Sequence, residues 1–395
     1  KDSLKIIRDS KVYKDSVDQL KNQFKTINFL TGYTYHNSYN KRSFGISSPL
    51  EIIHFNPVQG WSLGTKIRFS QQQHAKNEYK EYSIESKLEY GFSENIFRPT
   101  LRYTQRFNEF RKSELSVKIG IDLETFDHNP GSLLVHEISN LWLKKNYNKY
   151  YENRVFGLNY KQYLSYDFLW FGEWNYNIRS ILNNHSNYSI AKKDRLYSPN
   201  SVSENFNDSL FIQQSDYMSF TNRIRWRPGT KVWLAPNATE YLESDWPVIR
   251  ISHTWGFYPK SKQQFHVIGT SLYNEQSLQS WGHLSYLVKA TKIVHKEPID
   301  PSEWIFQKGN PFVVYNKPND PDVFLTLKPY AHSTDNQMVS WFLEWDLQGK
   351  LLDRIPLINK LGLKELIRYS SVVNDRNKPY AEYSIGFGNI GYKVF

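Results

Sequence analysis

The chain has 395 residues, no cysteine and a formal net charge of +11, and aromatic residues make up 16% of it. The lack of cysteine excludes a disulfide framework and a thiolate metal site, and no segment approaches the ~20 apolar residues of a membrane-spanning helix. The basic residues are spread along the chain and do not form one face, which argues against a nucleic-acid-binding protein. Anionic lipid head groups are a better match for this surplus of positive charge.

Residues 1–25 are the first predicted element. Tyr13, Val17, Leu20 and Phe24 recur at helical spacing in a charged background. We expect a solvated lead-in helix packed on the base of the following domain, and a helix lying on a membrane surface is the alternative. The chain starts without a signal segment, so we expect further sequence before it.

From residue 26 onward the dominant pattern alternates with a period of two. Tyr82 and Ile84 share one parity, and Glu85 and Lys87 have the opposite parity. Because a strand projects successive side chains to opposite faces, such a segment has one apolar and one charged face. About ten residues of this alternation are typical of transmembrane β-strands. The pattern therefore predicts an all-β fold, a transmembrane antiparallel barrel of about sixteen strands over residues 26–395.

The predicted strands lie near residues 27–36, 43–54, 60–71, 80–92, 97–107, 113–124, 154–166, 169–181, 218–227, 247–257, 263–273, 283–293, 323–332, 338–348, 364–373 and 380–388. The sheet must close on itself, because an open edge in lipid leaves backbone groups without hydrogen-bond partners.

The two faces of these strands define two sets of candidate residues. The apolar set is predicted to face lipid: Trp61, Leu63, Ile67, Phe69, Tyr82, Ile84, Leu88, Leu115, Val117, Ile119, Ile121, Trp341, Leu343 and Trp345. The charged set is predicted to line the lumen: Lys66, Arg68, Glu85, Lys87, Glu89, Lys118, Asp122, Glu124, Lys161, Arg223, Arg225, Glu344 and Asp346. These charges either select solutes in an open pore or pair across neighbouring strands and close the interior. Their near balance of sign favours pairing.

The connections differ in length. The long ones, at 125–153, 182–217, 294–322 and 349–363, occupy alternate hairpins in this strand count and so leave from one end. Outer-membrane barrels have long extracellular loops and short periplasmic turns. We therefore expect these loops outside the cell and the N-terminus in the periplasm of a bacterial outer membrane. The last strand would then end on the cell surface, so we expect one further strand after residue 395.

The insertion after residue 125 carries a helical apolar stripe of Leu134, Ile138, Leu141 and Trp142. This stripe is predicted to cap the barrel mouth or to dock a partner protein. The same segment contains His136-Glu137, which starts like a zinc-protease helix but lacks the second histidine. The segment GISSP at 45–49 is not a Gly-x-Ser-x-Gly elbow, because its last position is Pro, and the sequence has no phosphate-binding Gly-Lys-Ser/Thr loop. We therefore predict no catalytic residue, no metal and no cofactor.

Several segments together resemble a known family. They are DSLKIIRDSKVYKDSVDQLKNQFKTINFLTGYTYHNS, ISSPLEIIHFNPVQGWSLG, FDHNPGSLLVHEISNLWLKKNYNKYYE, RIRWRPGTK and LQGKLLDRIPLINKLGLKELI. In this order they resemble an outer-membrane barrel family of Bacteroidetes-type envelopes whose function is unknown. The resemblance implies a carboxypeptidase-regulatory-like domain before the barrel and a closing strand after it. It implies no activity.

Three function classes follow from the sequence. The favoured hypothesis is a non-enzymatic outer-membrane protein that is a structural or accessory component of a larger envelope assembly. Its expected partners are outer-membrane lipid, including lipopolysaccharide, and other outer-membrane or surface proteins. A pore or transporter for ions or small solutes is the alternative. A barrel-embedded hydrolase, with Ser, His and acid from distant strands, is the third.

Overall fold

The computed structural model of the chain describes residues 8, 10–48, 53–75, 78–108, 111–128, 133–202, 214–235, 238–242, 244–310 and 322–389. Its strands are β1 (Tyr33–Asn37), β2 (Arg42–Ile46), β3 (His54–Asn56), β4 (Gly60–Ala75), β5 (Glu78–Gly91), β6 (Ile96–Phe107), β7 (Ser113–Thr125), β8 (Tyr150–Ser165), β9 (Phe168–Ile181), β10 (Gln214–Trp226), β11 (Lys231–Ala235), β12 (Ala238–Leu242), β13 (Val248–Tyr258), β14 (Gln263–Ser277), β15 (His283–His295), β16 (Gln337–Asp346), β17 (Lys364–Asn374) and β18 (Tyr380–Gly388).

The helices are few and short. They are α1 (Lys11–Lys21), α2 (Asn28–Thr31), α3 (Leu133–Ile138), a π-helical turn (Ser139–Leu143) and 3₁₀ turns at Gln279–Trp281, Pro301–Glu303, Leu352–Arg354 and Ile358–Leu361. No helix in the described part of the chain is long and apolar enough to span a membrane.

One antiparallel sheet contains nearly all the strands. Its order is β1-β2-β4-β5-β6-β7-β8-β9-β10-β13-β14-β15-β16-β17-β18, and β3 pairs with the start of β4 to complete a 16-stranded sheet. Each strand therefore pairs with its neighbours along the chain, as in an up-and-down barrel. The hairpin β11–β12 is separate from the sheet. The predicted all-β antiparallel fold is confirmed.

A single tryptophan shows how strongly the sheet curves. Trp304 belongs to the buried cluster of Tyr217, Tyr258 and Phe265 on β10, β13 and β14. The Arg376 guanidinium, beyond the end of β17, lies 4.3 Å from the Trp304 ring centroid. In a flat sheet β10 and β17 would be about 24 Å apart, at about 4.8 Å for each strand spacing. Trp304 therefore joins a cluster that extends to β10 and also contacts a residue that follows β17, as expected for a sheet that curves into a barrel.

The barrel has two ends. The connections 126–149, 182–213 and 296–336 leave from one end, which we call the loop end, and most of the short turns lie at the opposite, turn end. α1 lies at the turn end, where Asp18 accepts hydrogen bonds of 2.6 Å from both the amide and the hydroxyl of Ser38. Burial opposes the charge of Asp18, but the hydrogen bonds from Ser38 keep its pKa below the usual range.

The structure corrects the N-terminal predictions in two places. The predicted strand 27–36 begins with the helical turn α2, so only its second half is the strand β1. The predicted strand 43–54 is divided into β2 and β3. Of the predicted apolar stripe, Tyr13 and Leu20 are exposed, whereas the Phe24 ring lies 5.4 Å from that of Tyr33 on β1. The hydrogen bonds of Asp18 add a polar contact at the same end of the barrel.

The predicted strand 323–332 is wrong. This segment lies inside the barrel, where Phe324 and Leu327 pack against Phe342 and Val372. Its backbone bonds to groups outside any ladder, since the amides of Leu325 and Thr326 donate to the carboxylate of Glu382. The alternating pattern predicted a strand here because a packed protein interior selects the same apolar residues as lipid does.

Losing this strand reverses the direction of the last three strands. The connection 347–363 therefore lies at the turn end, and not with the other long connections as predicted, and β18 runs toward the turn end. The expectation of a further strand after residue 395 depended on the wrong strand count and stays a prediction.

Candidate functional site

A plug formed by residues 296–310 and 322–336 occupies the loop-end half of the barrel interior. Ile299 and Trp304 pack with Ile293 of β15, and the Phe324 ring is 5.1 Å from that of Phe342. The hydroxyl of Tyr330 accepts a 3.1 Å hydrogen bond from a backbone amide just before β8. The plug thus contacts strands on both sides of the barrel.

A buried ion pair fixes the plug to the wall. Arg179 of β9 donates to the carboxylate of Glu303 and, at 2.9 Å, to the hydroxyl of Ser302. The Arg179 guanidinium lies 4.4 Å from the ring centroid of Tyr217, and the Tyr217 hydroxyl donates to Glu303 at 3.1 Å. Both charged side chains are about nine-tenths buried. Because each charge depends on the other for compensation, removing one leaves an unpaired charge out of water.

Two charged side chains of the wall hold the second half of the plug. Asp322 accepts from Lys289 of β15 at 2.7 Å and pairs with Lys308 of the plug at 3.1 Å. The buried Arg368 of β17 donates to the backbone carbonyl of Val323. Side chains of the wall therefore specify where the plug lies.

The wall from β4 to β7 contains balanced charges. Arg68 pairs with Glu85. Lys87 contacts Glu89 at 2.7 Å and Asp122 at 3.0 Å, and Lys118 lies 3.1 Å from the same aspartate. Positive and negative groups thus compensate one another along this arc, as expected for charges that stabilise a closed interior.

The wall from β8 to β15 is different, because basic residues predominate. A cavity of about 400 Å³ lies in the turn-end half of the interior. We call it the basic chamber, and the residues that define it are Lys161, Phe171, Arg223, Arg225, Arg250 and Lys289. A second cavity, of about 530 Å³, shares Arg223 with it and reaches Ser302 and Trp304 of the plug. Below the plug, the interior therefore contains open and charged space.

Comparison with known proteins identifies the family. A family described as "Family of unknown function (DUF5686) C-terminal domain" matches residues 27–387. The chain belongs to this family. The resemblance seen in the sequence is thus confirmed at the level of a barrel family without a known function. The Bacteroidetes origin and the preceding carboxypeptidase-regulatory-like domain stay predictions.

A search of curated proteins gives no match for this DUF5686 domain. Among solved structures, it is similar to BamA from Haemophilus ducreyi lacking POTRA domains 1–3, with 10% identity and a TM-score of 0.42, over 95% of this chain and 71% of that chain. It is also similar to CdiB from Acinetobacter baumannii, with 8% identity and a TM-score of 0.38, over 83% of this chain and 50% of that chain. The DUF5686 chain thus spans half the length of the CdiB structure.

The loop end of the DUF5686 domain contains a third cavity, of about 450 Å³. His54 and Glu137 lie 2.5 Å apart on its lining, and burial lowers the pKa of His136 to about 4, so this imidazole is neutral at pH 7. Within the described residues, no group of three or more His, Asp or Glu side chains is placed to hold a metal ion. The described lining of the cavity therefore presents one histidine–carboxylate pair.

The structure places the charged candidate set on the inner face of the barrel. This face is defined by its contact with the plug and the cavities, and all the predicted lumen residues have the matching parity on their strands: Lys66, Arg68, Glu85, Lys87, Glu89, Lys118, Asp122, Glu124, Lys161, Arg223, Arg225, Glu344 and Asp346. Glu344 lies 3.8 Å from Arg368, whereas Asp346 bonds to Gln348 at the rim.

The apolar candidate set lies on the outer face. Its members have the opposite parity: Trp61, Leu63, Ile67, Phe69, Tyr82, Ile84, Leu88, Leu115, Val117, Ile119, Ile121, Trp341, Leu343 and Trp345. At the turn end, the Trp345 indole donates to the carbonyl of Trp281, and Lys350 lies 3.4 Å from the Trp281 ring centroid. Amphipathic aromatic rings beside a basic side chain are typical of a membrane interface.

The residues of the predicted cap helix are placed differently from one another. The Leu134 side chain lies outside the described residues. Ile138 and Trp142 are about half exposed, and Leu141 is partly buried. The buried positions of this insertion are polar, for example Ser139. The plug, and not this stripe, fills the interior at the loop end.

Sequence reasoning missed the plug and its anchor Arg179. One signal was available, because 41 residues separate the end of β15 from the start of β16, and long loops in compact domains are often functional. Arg179 itself carries no local signal, since its partner Glu303 lies 124 residues further along the chain.

Proposed function

We propose that this DUF5686 domain is a non-enzymatic β-barrel of the bacterial outer membrane that is a structural or accessory component of a larger envelope assembly. The observation that supports it best is the anchored plug. A loop held by a buried ion pair occupies the interior where a wide pore would need open space. The long loops would be extracellular and α1 periplasmic. Outer-leaflet lipopolysaccharide and other envelope proteins are the proposed partners.

Exposed apolar side chains outside the barrel support a partner protein. Ile138 and Trp142 at the loop end are 48% and 51% exposed. Apolar side chains gathered on a surface are typical of interaction sites. Extraction of the tagged protein from its native envelope with a mild detergent should recover one stable partner. The double variant I138S/W142S should lose the partner. The control W246S, at a tryptophan of the turn end that is 62% exposed, should retain it.

The assembly hypothesis is rejected if the extracted protein is recovered alone after cross-linking in intact cells.

A pore or transporter is the second candidate, because charged cavities of about 400 and 530 Å³ lie next to each other in the interior. Recordings in planar bilayers separate the two: the assembly role predicts a barrel that rarely conducts, and a pore predicts steady single-channel currents. A hydrolase that uses His54 and Glu137 is less favoured, and a fluorophosphonate probe for reactive serines tests it.

A further inference from the structure

Two arginines of the basic chamber lie directly opposite each other. Arg225 of β10 pairs in register with Arg250 of β13, and both side chains point to the inner face. Like charges directly opposite each other destabilise an antiparallel strand pair. A sequence that retains such a pair accepts a cost in stability, so the pair needs another explanation.

The neighbouring charges do not neutralise this pair. Glu173 lies 3.2 Å from Arg223, and Asp322 is engaged by Lys289. In the part of the chain that the structure describes, no carboxylate lies within 4.0 Å of a terminal nitrogen of Arg225, Arg250 or Lys161. On the opposite wall, by contrast, Lys87 and Lys118 share nearby acidic groups. The excess of positive charge is thus local to the chamber.

The chamber also has an apolar side. Leu169 and Phe171 line it from β9, and the Phe171 ring centroid is 5.0 Å from the Arg223 guanidinium. Guanidinium groups present planar forks of N–H donors that match the oxygens of a phosphate, and several of them can share one dianion. We propose that the basic chamber binds a phosphate group between Arg225 and Arg250, with Leu169 and Phe171 beside it. This site is independent of the proposed role in an assembly.

Calorimetry on the whole chain, folded in neutral maltoside micelles, tests the site with two probes. The probes are inorganic phosphate and dihexanoyl-phosphatidic acid, and dihexanoyl-phosphatidylcholine, a zwitterion whose choline balances the charge of its phosphodiester, is the comparison. Wild type should bind a phosphate probe, and R225Q/R250Q should weaken binding by roughly tenfold or more, since charge-assisted bidentate contacts are lost. The control R68Q, on the balanced wall, should bind like wild type. Equal affinity for both probes assigns a free phosphate, and tighter binding of phosphatidic acid assigns a lipid head group.

The double variant could fail to bind because it folds poorly. A measurement of unfolding separates this case from the loss of the binding site. Without ligand, R225Q alone should raise the unfolding midpoint, because it removes the repulsion across the strand pair. Phosphate should raise the midpoint of wild type and not that of R225Q/R250Q. The proposal is overturned if wild type binds neither phosphate probe at millimolar concentration. It is also overturned if R68Q loses as much affinity as the double variant, or if phosphatidylcholine binds as well as phosphatidic acid.

Discussion

The plug should be released when its buried anchor is removed. Replacing Arg179 by Met keeps much of the side-chain volume against Tyr217 but leaves the Glu303 carboxylate without its cation. Removing one partner of a buried ion pair costs about 3–5 kcal/mol. This loss falls on the docked plug and not on its displaced states, so the population of displaced states should rise roughly 10²–10⁴-fold at about 1.4 kcal/mol per tenfold. We expect R179M to show frequent current steps in planar bilayers.

The double variant R179M/E303L makes this prediction specific. A buried pair replaced by apolar side chains of similar volume is often as stable as the original, so the second substitution should restore a closed barrel and most of the lost unfolding free energy. The control R106M removes a half-exposed arginine paired with Glu114 and should cost less than about 1 kcal/mol. Urea unfolding followed by tryptophan fluorescence measures these differences. The reasoning fails if R179M stays closed, or if the double variant is as unstable as the single one.

Three further changes test local contacts. The pKa of Asp18 is lowered in the folded state, so its contact with Ser38 contributes stability above a pH of about 4. This stability is lost as the pH falls through the lowered pKa, and the hydrogen exchange of α1 should become faster in that pH range. D18N should show fast exchange at every pH. Glu365 accepts hydrogen bonds from two amides of the 347–363 connection. Each hydrogen bond to this charged group contributes about 1.5–3 kcal/mol to holding the connection in place, so E365A should make the connection more sensitive to proteases. Protease resistance equal to that of wild type would contradict this prediction. Gly282 has φ +85°, and a Cβ there would lie 1.9 Å from a backbone oxygen. G282A should therefore lower the unfolding free energy by more than about 1–2 kcal/mol. The control G386A, whose Cβ would meet only ordinary contacts, should change the unfolding free energy little, and equal effects of the two variants would refute the argument.

The alternating strands could be predicted because two environments impose the same period. On β16, Trp341 and Leu343 face outward and Phe342 and Glu344 face inward, so lipid and the barrel interior select opposite parities along ten residues. Such a pattern is local and needs no knowledge of the partner strands. This is why the fold class followed from the sequence alone.

The plug could not be predicted for the same physical reason. Phe324 and Leu327 have the apolar character of a strand that faces lipid, yet they are buried against Phe342 and Val372. The local sequence pattern indicates only that these side chains are shielded from water. Whether lipid or protein covers them depends on contacts made far along the chain, as between Arg368 and the carbonyl of Val323.

The barrel interior contains arginines of two kinds, one whose charge is paired within the fold and others whose charges are not. Arg179 is buried and has Glu303, Ser302 and an aromatic face as partners, so its charge is compensated inside the fold. Arg225 and Arg250 are register partners on neighbouring strands and line an open cavity, and the fold itself gains no stability from placing two like charges side by side. A group that a fold leaves uncompensated at a cost in stability is a candidate to meet a ligand. The plug therefore stabilises the fold, and the basic chamber is the proposed ligand-binding site of this barrel.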